Sequence, residues 1–142
     1  MTVAKHYTLT DPAREDLIEM VKFSEAKFGE RQAMKYMKAI HEGTECIGKS
    51  QKRFQSRSEF SSESGLSIYS IEKHYMLCLP ISDDHILVLG YLGQEQDIPN
   101  IIRQNAPEID HEISRFMGKL ERGEVTLPGR ASRAAHRKPG RK

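Results

Sequence analysis

Residues 7–40 read YTLTDPAREDLIEMVKFSEAKFGERQAMKYMKAI. Tyr7, Thr8 and Leu9 alternate as a short strand does, and Thr10-Asp11-Pro12 announces a helix. Asp11 suits the N-cap and Pro12 the first helical position, where a missing N–H costs nothing. Glu15 and Asp16 follow near the positive end of the helix dipole. Ala13, Leu17, Met20, Val21, Ser24 and Phe28 recur at spacings of three and four and form one apolar stripe. Gly29 is a suitable residue just past a helix end. A second helix opens at once near Glu30, so the two are expected to pack as an antiparallel hairpin. Its inner stripe is Ala33, Met37, Ile40, Thr44 and Ile47, with Tyr36 beside it. Gly43 weakens this helix, and Gly48 is the expected stop.

Outward from the hairpin the pattern changes. Residues 49–65, KSQKRFQSRSEFSSESG, are polar and serine-rich and read as a loop with a short strand around Phe54. Strand character returns over residues 66–71. Glu72-Lys73 is the expected turn, although it lacks an Asn-Gly or Asp-Gly pair. From His74 to Ile81 the residues alternate: Tyr75, Leu77, Leu79 and Ile81 on one face, Met76 and Cys78 on the other. Pro80 belongs at an edge or strand end. Ser82-Asp83-Asp84 makes a turn, and ILVLGYL (residues 86–92) reads as a central strand covered on both faces. Asp97-Ile98-Pro99 starts a further helix with Ile101 and Ile102 as anchors. Beyond Pro107, the residues Ile109, Ile113, Phe116, Met117 and Leu120 form another helical stripe, which must bury against the chain's own core or a partner. The expected class is α+β: an N-terminal strand, then an antiparallel two-helix hairpin packed on a small antiparallel sheet, with a C-terminal helical extension.

At 142 residues one core is the natural expectation. The formal net charge of +2 hides an asymmetry. Six of the 22 basic residues (Arg130, Arg133, Arg137, Lys138, Arg141 and Lys142) lie in the last 14, leaving 16 basic against 20 acidic residues before them. An acidic body argues against a face built mainly to grip phosphates. Residues 128–142 are expected to be a basic, disordered tail, residues 106–127 the helical extension, and 1–105 the main domain. No apolar run approaches the roughly 18 residues of a membrane span, and MTVAKHYTLT has no signal-peptide core. Two cysteines without a framework fit a reducing cytoplasm.

Little in the chain points to catalysis. Cys78 and His74 share a strand face but lie about 13 Å apart at ~3.3 Å per residue, too far for a nucleophile–base pair, so Cys78 reads as core packing. The six histidines show no metal-ligand spacing, and no phosphate-binding glycine loop is present, so neither metal nor cofactor is expected. One constellation remains. With the Ser82–Asp84 turn setting the register, His74 falls opposite Leu92, and Lys73 and His74 meet Gln94 and Glu95, with Lys52, Arg53 and Arg57 within reach. Such a group has the elements of phosphodiester cleavage. A solvated polar sheet edge is the favoured account of it.

The strand–helix–helix opening, YTLTDPAREDLIEM followed by KFGERQAMKYMKAI, together with IEKHYMLCLPISDDHILVLGYLGQEQDIP, resembles the RelE/ParE toxin superfamily of bacterial type II toxin–antitoxin systems. The resemblance covers roughly residues 5–103 and lies nearer ParE-like than RelE-like chains. It implies a helix hairpin on a small antiparallel sheet, a cytoplasmic location and a cognate antitoxin, with homodimers or toxin–antitoxin hetero-oligomers as the assemblies to expect. RelE-like members cleave mRNA on the ribosome with basic residues of the middle strands and often an Arg or His after the last one. ParE-like members lack that set and poison DNA gyrase. Here the position after the last strand reads Gly93-Gln94-Glu95-Gln96, without the His or basic residues of many relatives. The resemblance therefore implies a gyrase inhibitor acting by protein binding rather than an enzyme. A ribosome-dependent endoribonuclease using Arg57, Lys73 and His74 remains the alternative, as does a non-toxic binding protein on the same fold.

Overall fold

The computed structural model describes residues 6–54, 65–125 and 127. The order is β1 (Tyr7–Leu9), α1 (Asp11–Phe28), α2 (Glu30–Lys49), a 3-10 turn (Gln51–Arg53), β2 (Ser67–Ile71), β3 (His74–Ser82), β4 (His85–Gly93), α3 (Ile98–Gln104) and α4 (Ala106–Glu121). One four-stranded sheet runs β1-β4-β3-β2. The strands β2, β3 and β4 are antiparallel, as expected, whereas β1 joins β4 in parallel, which makes the sheet mixed.

Helix α1 begins one residue earlier than the sequence indicated. The cap is Thr10, whose hydroxyl accepts the Ala13 N–H at 3.3 Å, and Asp11 occupies the first helical position. The hydroxyl of Thr10 also donates to the Val88 carbonyl at 3.0 Å, so the cap is held by the sheet as well. Gly29, at φ 97°, ends α1 with its N–H on the Glu25 carbonyl. Helix α2 then continues through Gly48 to Lys49, contrary to the expected stop. A Cβ at Gly48 would lie 2.1 Å from the His6 carbonyl oxygen. Gly48 is a contact residue that lets α2 approach the start of β1. Phe54 lies past the 3-10 turn rather than in a strand.

Two apolar layers enclose the sheet. On one face Ala13 and Leu17 of α1 and Ile40 and Ile47 of α2 pack on Met76, Cys78, Ile86, Val88 and Tyr91. On the other, Ile98 and Ile102 of α3 and Phe116 of α4 pack on Ile68, Leu77, Leu87 and Leu89, with Ile109, Ile113 and Leu120 half-buried around them. Although Met117 stays exposed, the helical extension therefore buries Ile109, Ile113, Phe116 and Leu120 of its stripe on the chain's own sheet. That is why β4 is apolar on both faces. Each fully buried isoleucine or leucine contributes about 2 kcal/mol to this arrangement. Two expected anchors differ: Ile98, not Ile101, is buried with Ile102, and Phe28 at the hairpin tip is 62% exposed. Among the described residues, no helix is long and apolar enough to cross a membrane.

Candidate functional site

β1 pairs only with Ile86–Val88 of β4, because the chain turns into α1 at Thr10. The C-terminal half of β4 thus has no described strand beside it on that side, and a groove of about 540 Å³ opens there. Helix α1 forms one wall through Pro12, Asp16, Glu19 and Met20. Helices α3 and α4 form the other through Ile101, Ile102, Asn105, Glu108, Ile109 and Glu112. Leu89 to Gly93 runs along the base, and His74 stands at one end.

Side chains cap the backbone donors of this uncovered stretch. Asp16 Oδ2 accepts the Tyr91 N–H at 3.1 Å, and Gln96 Oε1 accepts the Gly93 N–H at 2.6 Å. A register shift at Leu77/Cys78 sets Gly90 opposite Leu77 and Val88 opposite Cys78, leaving Leu89 as the extra residue of a bulge. A Cβ at Gly90 would lie 3.1 Å from Asp16 Oδ2, so the missing side chain makes room for the carboxylate. Capping an open strand edge in this way blunts its tendency to pair with other chains.

The electrostatics of the groove are one-sided. Among the described residues, its lining holds Asp16, Glu19, Glu108 and Glu112 and no lysine or arginine. Burial pushes the Asp16 carboxyl above the usual carboxylate range, partly offset by the Tyr91 N–H. Glu112 pairs with Arg115 at 3.4 Å, and Arg115 reaches Asp11 at 3.6 Å, which ties α4 to the start of α1.

The residues singled out from sequence are only partly assembled. His74 pairs with Gly93 rather than Leu92, because Ser82 pairs with His85 and leaves a turn of two residues, Asp83 and Asp84; the shifts at Pro80/Ser82 and Leu77/Cys78 cancel. It shares that end of the sheet with exposed Lys73, Gln94 and Glu95. Its Nδ1 bonds the Tyr36 hydroxyl at 2.8 Å, and burial holds the imidazole below the ordinary histidine range. Lys52 and Arg53 do not join it. The 3-10 turn that carries them is fixed at the opposite end of the hairpin, where Gln51 Nε2 donates to the Ser82 carbonyl at 2.8 Å. Eight residue steps along β3 separate His74 from Ser82, about 26 Å. Arg57 lies outside the described residues. Cys78 is fully buried, as its core reading required. Sequence reasoning did not place Asp16, Tyr36, Gln96 or the acids of α4 in a site. The signals for them were a carboxylate bordering the α1 stripe and a glycine inside an otherwise apolar strand.

A strand, a helix hairpin and an antiparallel strand pair follow in the order that the resemblance to the RelE/ParE superfamily implied. No protein-family model matches the chain. It is 26% identical over 92 residues to Toxin ParE of Escherichia coli, covering 65% of this chain and 87% of that protein. Its fold matches a chain of the chromosomal ParDE TA system from P. aeruginosa with a TM-score of 0.54 at 17% identity, over 64% of this chain and 97% of that one. The chain is ParE-like in sequence and in fold.

Proposed function

We propose that this protein is the toxin of a type II toxin–antitoxin pair, that it inhibits DNA gyrase by binding it, and that a cognate antitoxin neutralises it. Residues 1–105 would be the toxin domain, with 106–127 as an extension closed onto it. One observation carries the choice against ribonuclease chemistry: among the described residues that line it, the groove along the end of β4 presents four carboxylates and no lysine or arginine. A phosphodiester chain entering there meets repulsion instead of charge stabilisation. His74, the candidate base, has its Nδ1 engaged by the Tyr36 hydroxyl, and burial lowers its imidazole below the ordinary histidine range, which disfavours the imidazolium that charge stabilisation would need. A protein target imposes no such requirement. The likeness to Toxin ParE supports the same reading.

The test is a pair of assays on the purified full-length protein. Gyrase supercoiling should fall in its presence and recover when the co-expressed antitoxin is added, while cell-free translation and its transcripts stay intact. Cut mRNA with unimpaired supercoiling would reverse the assignment. Normal supercoiling with intact transcripts would reduce it to a non-toxic binding protein.

A further inference from the structure

The groove between α1 and α4 has an amphipathic lining that matches a segment of the same chain. Its apolar surface comes from Met20, Leu77, Leu89, Ile101, Ile102 and Ile109. Its rim carries Asp16, Glu19, Glu108 and Glu112, and none of the described residues that line it is a lysine or arginine. A fitting occupant has cationic heads on long aliphatic stems, because such side chains lay methylenes on apolar surface while their charges reach the rim. Residues 129–142, GRASRAAHRKPGRK, carry six such side chains, no acid, and small alanines between them.

Connectivity makes the match specific. The last described residue, Leu127, is buried in the same apolar layer as Ile102 and Phe116. Val125 lines a small cleft with Thr8, Leu9 and Phe116, which fixes the exit beside β1 and α4. The groove acids Glu108 and Glu112 lie in the first half of α4, and the whole 16-residue helix spans about 24 Å. Fifteen residues extend to about 50 Å at ~3.3 Å each. The segment therefore reaches the groove with length to spare, and its tether supplies an effective concentration that a free peptide lacks.

We propose that the acidic groove between α1 and α4 is the docking site of the chain's own basic segment, residues 128–142. Ion pairs of this kind weaken as salt screens them, which gives the test its lever. Carbodiimide coupling of the full-length protein in low salt joins touching carboxylates and lysines. Mass spectrometry of the monomer should find Lys138 or Lys142 linked to Asp16, Glu19, Glu108 or Glu112, and molar salt should abolish those links. In parallel, trypsin should cut after Arg130, Arg133 and Arg137 about tenfold more slowly in the native protein than in Glu19→Gln/Glu108→Gln/Glu112→Gln, a difference of about 1.4 kcal/mol. Three results overturn the proposal. Equal cleavage rates mean that the segment does not dock in this groove. Links scattered over Glu25, Glu30 and Glu42 mean non-specific contact. Links found only between molecules assign the groove to a second copy.

Discussion

The Asp16 carboxylate on α1 accepts the backbone N–H of Tyr91 on β4, 75 residues further along the chain, at 3.1 Å. This bond stands where a ladder bond from β1 would stand if β1 were longer. It locks the helix hairpin to the sheet at the base of the groove. Asp16→Ala should therefore destabilise the fold by about 1–3 kcal/mol, the cost of leaving a buried donor unpaired. Asp16→Asn keeps an acceptor and loses the ionisation. Burial raises the Asp16 carboxyl, so the folded chain holds this proton more tightly than the unfolded chain does. The stability it contributes is present below the ordinary carboxyl range and lost as pH rises through the folded value. Urea unfolding should show Asn gaining on the native protein between about pH 4 and 7. A gap that narrows over that range would contradict the assigned direction.

The hairpin was legible because its residues speak locally. Ala13, Leu17, Ile40 and Ile47 repeat at helical spacing, and Gly29 marks the break. The groove was not, because its parts meet only in the fold. Asp16 is an ordinary helix acid until β1 ends and exposes the Tyr91 N–H. The one-residue error at His74 is of a related kind: alternation assigns faces, but the register depends on which residues close the turn, and Ser82 pairs with His85 instead of lying in the loop. The extension was readable as a helix, but not its destination. The two-faced apolarity of β4 was the clue that a second layer must cover the sheet.

The two thiols should differ sharply in reactivity. Cys78 is fully buried, and burial pushes its thiol far above the usual range, whereas Cys46 is exposed on α2. Thiolate is the reacting form. A maleimide should add once to the native protein, at Cys46, and a second time only in denaturant. Intact-mass spectrometry checks this, and rapid double labelling under native conditions would contradict the packing of β3.

His74 should report the same burial through pH. Its imidazole is held below the ordinary value of 6.5, so the unfolded chain takes up a proton that the folded chain resists. The stability involved is complete above about pH 6.5 and drains away as pH falls toward the folded value. Replacing His74 by Gln should flatten the change in urea midpoint between about pH 7 and 5. An NMR titration should place the His74 ring below its ordinary range, and a midpoint at or above that range would exclude the buried, Tyr36-bonded state.

Gly48 and Gly43 both lie in α2, yet alanine should act differently at the two positions. In an exposed helix interior the exchange is favourable by about 1 kcal/mol. At Gly43 the new Cβ meets only the Ile71 side chain, 3.0 Å from its Cδ1, which can rotate away. At Gly48 it would stand 2.1 Å from the His6 carbonyl oxygen, which is backbone and already accepts the Ile86 N–H at 3.1 Å. Relief there means moving β1 off β4 or α2 off the sheet, so the loss should reach about 3 kcal/mol, the upper end for overpacking. Gly43→Ala should stay within about 1 kcal/mol of the native protein, since the propensity gain offsets a small rotation. Paired urea titrations separate the cases. Equal losses would mean that α2 does not approach β1 at Gly48 as closely as this contact requires. A stable Gly48→Ala would remove that close approach as the reason α2 carries a glycine one residue before its end.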